Sequence, residues 1–286
     1  MPSAIIGVIG GTGLSELSGL TDVQEINVNT PFGAPSGPIV VGSYHGVEIA
    51  FLSRHGVGHR LTPTELPVRA NIYALKLLGV ERVISISAVG SLREEMAPQH
   101  MVVPDQLIDR TRQRVSSFFG DGIVAHVSFA EPFCPTLRHL LVDACREAEA
   151  TVHDGGAYVV MEGPAFSTVA ESQLYRSWGA GVIGMTALPE AKLAREAELC
   201  YGTLACVTDY DVWHPDHDSV TVEVVLRNLH HNVATAQAVL QTIVPQLTGD
   251  RDCPCGHALD MAVVTAPDAR PEGAKQRLKL LLGDRA

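Results

Sequence analysis

Two short stretches of this sequence carry residue types that can move protons and hold anions. The first is Thr208-Asp209-Tyr210-Asp211, which follows the apolar run Tyr201 to Val207. Two carboxylates just past a strand end can take a proton from a nitrogen heterocycle or deliver one to it. Taken alone, the same acids also read as a solvated turn that caps the next element. The second stretch is Ser53-Arg54-His55-Gly56-Val57-Gly58-His59-Arg60, the densest cationic cluster in an acidic chain. Arginine forks match phosphate geometry, so the cluster reads as an anion site rather than as free surface charge. Two further segments add small and hydroxyl-bearing residues. Gly10-Gly11-Thr12-Gly13-Leu14 offers backbone amides and the Thr12 hydroxyl, and Ser87-Ala88-Val89-Gly90-Ser91 offers Ser87 beside Ala88.

These segments need elements to position them. Ala4 to Ile9, Arg82 to Ser87, Val152 to Val160, Ala180 to Met185 and Tyr201 to Val207 are apolar runs of strand length. Pro38 to Gly42 and Val47 to Leu52 read as a hairpin turning near His45-Gly46, and Met101 to Val103 with Gln106 to Ile108 as a further strand pair. Helical spacing covers Glu65 to Leu78, entered at Pro67, then Pro135 to Ala150, Thr168 to Trp178, Pro189 to Leu199 and Ser219 to Leu247. Residues 112–133 form a long irregular connection. Short buried strands alternating with helices predict an α/β single domain, a central mixed β-sheet flanked by helices, with ligands at strand ends. The expected domain spans residues 1–249. Residues 250–286 are proline-rich, carry one short helix near Lys275 to Leu282, and are expected to pack on a neighbouring subunit.

The 286 residues carry 46% apolar side chains, enough for a large core, and a formal net charge of -11. That charge argues against a nucleic-acid or anionic-membrane surface, and an anionic substrate then needs a local basic pocket. No apolar run reaches the roughly 18 residues of a membrane span, and the N-terminus lacks a basic start and cleavage region. A cytoplasmic protein is the expectation. Of six cysteines, Cys134, Cys145, Cys200 and Cys206 are scattered and read as small core residues. Cys253-Pro254-Cys255 falls short of the four ligands of a structural zinc, so no metal is expected. The glycine turn at 10–14 is no dinucleotide fingerprint, because Glu16 stands where the third glycine belongs, and no Gly-Lys-Ser/Thr follows it. That counts against a dehydrogenase. An oxyanion pocket beside Phe166, Met185, Asp209 and Asp211 is compatible with a nucleoside cleaved by phosphate; a nucleoside-binding protein without turnover is the other reading.

Nine collinear stretches carry a resemblance. They are Gly-Gly-Thr-Gly-Leu (10–14), Arg-His-Gly-x-Gly-His (54–59), Arg-Ala-Asn-Ile-x-Ala-Leu-Lys (69–76), Ala-Val-Gly-Ser-Leu-Arg-Glu-Glu (88–95), Asp-Gln-Leu-Ile-Asp-Arg-Thr (105–111), Ala-Glu-Pro-Phe-Cys-Pro (130–135), Glu-Gly-Pro-x-Phe-Ser (162–167), Gly-Met-Thr (184–186) with Pro189-Glu190, and Thr-Asp-Tyr-Asp-x-Trp (208–213). Through them the chain resembles the trimeric purine nucleoside phosphorylases, in the S-methyl-5′-thioadenosine phosphorylase branch. The resemblance implies that Thr12, Arg54, His55, Ser87, Ala88 and Thr186 surround phosphate. It places Met185 and Ala88 at the sugar, Phe166 on the base, and Ser167, Asp209 and Asp211 at the purine edge. Asp209, Asp211 and His55 are the catalytic candidates. Val222 and Val225, with Leu226, would line the 5′ position. No organic cofactor or metal is implied, inorganic phosphate is a co-substrate, and a homotrimer is expected.

The 6-oxopurine branch carries glutamate at the Ser167 position and asparagine at the Asp209 position. An aspartate accepts from an exocyclic amino group, which favours adenine. Apolar residues at the 5′ end suit a methylthio group, since burying an unpaired hydroxyl costs about 1–3 kcal/mol. The expected reaction is therefore phosphorolysis of S-methyl-5′-thioadenosine to adenine and 5-methylthioribose 1-phosphate. The chain departs from its relatives at Pro67, Val68, Ala165 and Gly184. A 5′-halo-5′-deoxyadenosine, 5′-deoxyadenosine, or a 6-oxopurine nucleoside is the alternative substrate.

Overall fold

The computed structural model describes residues 4–11, 14, 17–216 and 220–285. The chain opens with strand β1 (Ile6–Gly10) and an edge strand, β2 (Thr21–Ile26). The hairpin β3 (Ile39–Tyr44) and β4 (Val47–Ser53) turns at His45-Gly46 as expected. Helix α1 (Val68–Leu77) begins just after Pro67. Strand β5 runs over Arg82–Ser91, four residues further than its apolar core suggests, and β6 (Met101–Val103) and β7 (Gln106–Arg110) follow. Next come α2 (Pro135–Glu147), β8 (Val152–Asp154), β9 (Ala157–Met161) and α3 (Val169–Ser177). The chain then forms β10 (Val182–Gly184), α4 (Ala187–Glu196), β11 (Cys200–Asp209), α5 (Val222–Ile243) and α6 (Glu272–Leu282).

Two sequence expectations are corrected, and one strand is added. Val152 to Val160 is not one strand; Gly155 and Gly156, both at positive φ, break it into β8 and β9. β6 and β7 do not pair with each other: β6 lies between β11 and β8, and β7 on β9. The strand β2 is exposed along its length, lacks an apolar alternation, and forms only because β3 offers it an edge.

The described strands make one eleven-stranded mixed sheet. Alternate side chains feed two cores, which is why its central strands read as continuous apolar runs. Ile84, Ile86 and Leu204 face Leu137 and Leu141 of α2 and Val239 and Leu240 of α5. Val83, Ala205 and Val207 belong to the opposite core with Ile72 of α1, Leu193 of α4 and Leu278 of α6. The C-terminal residues Leu278, Leu281 and Leu282 are thus buried on their own chain.

β5 organises the site. On one side it pairs with β11 along its whole length. On the other it pairs in parallel with β1 up to Ser85, then antiparallel with β10 from Gly90. Ile86 to Val89 have no strand on that second side, and β1 and β10 diverge around them. A crevice opens where neighbouring strands part, as α/β sheets generally bind ligands.

Candidate active site

The crevice is a cleft of about 340 Å³ whose walls are the ends of β4, β5, β9, β10 and β11 and the start of α5. It gathers Arg54, His55, Ser87, Ala88, Phe166 and Met185 with Thr186, Asp209, Asp211, Val222 and Val225. Thr12 lies outside the described residues, although Gly11 beside it is on the wall. Ser167 is not on the wall; its hydroxyl donates to Met161 Sδ at 3.5 Å.

The anion end is built on Arg54, which is 1% exposed. Its Nε donates to Glu190 Oε1 at 2.5 Å, Nη2 to Ser85 Oγ at 2.7 Å and Glu190 Oε2 at 3.2 Å, and Nη1 to the Ile86 carbonyl at 2.9 Å. The fork expected to clasp an anion is therefore spent on Glu190. One Nη1 hydrogen remains of the five a guanidinium carries. Arg54 stays cationic because Glu190 opposes the cost of burial and holds its pKa above the usual value. Ser87 Oγ and Thr186 Oγ1 lie 3.1 Å apart.

His55 Nδ1 donates to the Leu61 carbonyl at 2.8 Å and the ring stacks on His59 with centroids 4.1 Å apart. Burial lowers its pKa to about 4. The imidazole is thus neutral near pH 7, with Nδ1 carrying the proton and Nε2 a lone pair. It can accept a proton-bearing oxygen and is no cation.

At the other end, β11 bulges at Thr208, between Val207 opposite Val89 and Asp209 opposite Gly90. A bulge re-aims the side chain beyond it. Asp209 sits over Gly90 so closely that a Cβ there would lie 2.8 Å from Oδ1, and a side chain at that position would displace the carboxylate. Asp209 Oδ2 accepts from Thr208 Oγ1 at 2.7 Å and Oδ1 from the Asp211 amide at 2.8 Å. Burial outweighs those bonds and raises its pKa to about 6. Burial also raises Asp211. Asp211 Oδ2 is buried with no protein partner, and its backbone is left-handed at φ 52°. An orphaned carboxylate oxygen on a strained residue at a cleft wall points to a ligand donor.

Several site-building residues escape sequence reasoning. Glu190, 1% exposed, also accepts from Ser85 Oγ and Tyr201 hydroxyl. It stood in the resemblance beside Pro189, with no role attached to it. Arg114, from the irregular connection, donates to the Met185, Leu188, Met161 and Glu162 carbonyls and so ties two strand ends together. Glu162 braces loops: it accepts from Thr64 Oγ1 at 2.6 Å and the Arg112 amide at 2.6 Å. Asn228 and Asn232 of α5 donate to the Thr208 and Val207 carbonyls at 2.7 and 2.8 Å, fixing the end of β11. Gly184 also has a cause: a Cβ there would lie 2.3 Å from the Tyr158 hydroxyl, so the phenol takes the space of a side chain.

Comparison with known proteins gives the same reading. The sequence model described as "Phosphorylase superfamily" matches residues 5–245. The S-methyl-5′-thioadenosine phosphorylase of Geobacter sulfurreducens is 56% identical over 98% of each chain. That of Synechocystis is 58% identical over 99% of this chain and 88% of its own. A methylthioadenosine phosphorylase sourced from an Antarctic soil metagenomic library superposes with a TM-score of 0.94 at 49% identity, covering 99% and 100% of the two chains. A variant of the Schistosoma mansoni enzyme, solved in complex with methylthioadenosine, gives 0.83 at 35% identity over 87% and 93%. With this fold, this cleft and these relatives, the chain belongs to the phosphorylase superfamily.

Proposed function

We propose that the protein cleaves the N-glycosidic bond of S-methyl-5′-thioadenosine with inorganic phosphate, releasing adenine and 5-methylthioribose 1-phosphate. The observation that carries the reading is the pairing, in one cleft, of a protonatable buried acid, Asp209, with an anion end around Arg54. Relatives named for this activity, and the neighbour solved with methylthioadenosine, support the substrate.

The glycosidic bond stretches toward an oxocarbenium-like sugar as charge leaves on the purine. The pKa of Asp209, raised to about 6, lets it carry a proton toward purine N7. Asp211 accepts from the exocyclic amino group through its unpartnered oxygen. Phe166 supplies a flat face for the base, and Met185 and Ala88 border the sugar. Phosphate sits beneath C1′, receiving hydrogen bonds from Arg54 Nη1, Ser87 and Thr186, with Thr12 assigned there from its sequence position. His55 Nε2 accepts the hydroxyl of a hydrogenphosphate, which selects the singly protonated dianion. Proximity of a bound nucleophile to C1′ supplies most of the advantage over free phosphate.

Val220, Val222, Val225 and Leu226 face the cleft from the start of α5. They fit a methylthio group and leave a 5′-hydroxyl without a partner. Val222 and Leu226 are 66% and 49% exposed on one chain, which suits a homotrimer whose neighbour completes this end. A substrate panel tests the assignment. Methylthioadenosine should exceed adenosine by at least about tenfold in kcat/KM, and exceed methylthioinosine similarly. Equal rates on inosine would reassign the substrate to a 6-oxopurine nucleoside.

A further inference from the structure

The sequence offers Cys253-Pro254-Cys255 as two ligands of an incomplete metal set. The fold supplies two more. Cys134 caps α2, Cys200 opens β11, and both meet the short 3-10 turn Pro254–His257. The four Sγ atoms all lie within 4.8 Å of one another, and Cys200 and Cys253 Sγ are 3.3 Å apart. Three of the four residues are buried and Cys253 is half-buried. All are free thiols. We infer that Cys134, Cys200, Cys253 and Cys255 form a structural zinc site that fastens the C-terminal extension to the body of the protein.

The geometry is close to what a tetrahedral thiolate site needs. Zinc–sulfur bonds of about 2.3 Å place tetrahedral sulfurs about 3.8 Å apart, so the set closes on the ion with movements under about 1 Å. Disulfides would instead need sulfurs at about 2.05 Å in a particular dihedral, and this arrangement is a cluster of four rather than two separated pairs. The surroundings favour thiolates. Cys134 stands at the N-terminus of α2, where the helix dipole is positive, and its sulfur accepts from the Leu137 amide at 3.4 Å. Arg251 lies against the turn, its Nη2 2.9 Å from where a Cβ on Gly256 would stand, and pairs with Glu81 at 3.3 Å. Four thiols release four protons as the ion enters, and no electron moves.

The consequence is structural. Residues from 249 onward follow α5, and the site would hold them to the start of β11 and α2. Below the site, Arg251 donates to the Glu198 carbonyl at 2.8 Å, and Arg82 donates to the Gly249 carbonyl at 2.6 Å. Thiolate ligands select zinc over hard cations, and binding free energy becomes folding free energy.

The test is elemental analysis of the full chain, purified anaerobically with reductant and without chelator. The expected result is about one zinc per chain, released by four equivalents of an organomercurial. Cys253→Ser should lower the zinc content at least about fivefold and the Tm by at least about 5 °C, and leave kcat/KM at 25 °C within about twofold. Cys145→Ser, on the same helix but outside the cluster, should keep its zinc. If the variant fails to fold, cobalt(II) added to zinc-stripped wild-type protein reports instead, through the intense visible absorption of a tetrahedral thiolate site. A chain holding under about a tenth of a zinc with six free thiols overturns the inference, as does one four hydrogens lighter from two disulfides.

Discussion

Asp209 is where burial and chemistry meet most closely. Its carboxyl is buried beside Thr208 and over Gly90, and the cost of ionising it there raises its pKa to about 6. The sign of the linkage follows. A carboxyl whose folded pKa lies above its unfolded value of 3.8 contributes stability at low pH that is lost as pH rises through about 6. Above that, the ionised form costs the fold on the order of 3 kcal/mol. Asp209→Asn should therefore stabilise the free protein at pH 8 and do so much less at pH 5, as read by urea unfolding at both values. The same substitution should lower methylthioadenosine kcat at least about tenfold and remove the descending limb of kcat/KM above pH 6. A variant with an unchanged rate and an unchanged limb would exclude Asp209 as the acid. Asparagine can also donate to a 6-oxo group, so the loss should be smaller on methylthioinosine. His55 remains neutral from pH 5 to 8 and adds no limb there.

Glu190 acts one residue further back. It holds Arg54 in place, and removing it leaves a buried guanidinium unpaired. Glu190→Gln should destabilise the fold by about 3–5 kcal/mol and raise the phosphate KM more than it raises the nucleoside KM. An equal rise in both would make Glu190 a packing residue only.

At the scale of elements, the strands that carry the site were legible where burial leaves a continuous apolar run. β1, the hairpin β3–β4, β10 and β11 follow the runs that name them. The hydroxyl-rich end of β5 reads as loop because Ser87, Gly90 and Ser91 lack apolar character, yet β10 and β11 supply strand partners there. Partner choice is non-local, which is also why β6 and β7 look like a pair and are not. The candidate residues themselves were legible through chemical type and through resemblance. Their supports were not: Arg114, Asn228 and Asn232 reach the site across long sequence separations, and Glu190 stood in the resemblance without a role. Arg114→Met should leave Met185 and the strand ends of β9 and β10 untied, lowering kcat/KM about tenfold or more with a smaller change in Tm. At the start of α5, Val225→Thr should narrow the preference for methylthioadenosine over adenosine by about fivefold. An unchanged ratio would move the 5′ pocket elsewhere.

For the whole molecule, the split of β1 from β10 along β5 makes one crevice serve both ends of a nucleoside. Exposed Phe166, Val222 and Leu226 border that crevice, and a neighbouring copy is the proposed cover. Sedimentation equilibrium should give three times the mass of the 30.6 kDa chain. A monomer that retains full activity would contradict that assignment. The surrounding charge of -11 opposes the approach of a dianion, and Arg54 is already paired with Glu190, so phosphate KM should depend on ionic strength more than nucleoside KM does.

An anion held at Arg54 is the proposed nucleophile. The direct measurement is adenine release from methylthioadenosine with phosphate present and with phosphate stripped from enzyme and buffer. Release that vanishes without phosphate, with 5-methylthioribose 1-phosphate formed in equal amount to adenine, is the predicted result. Adenine released at the same rate without phosphate, with free 5-methylthioribose as the partner product, would make water the nucleophile and contradict the account.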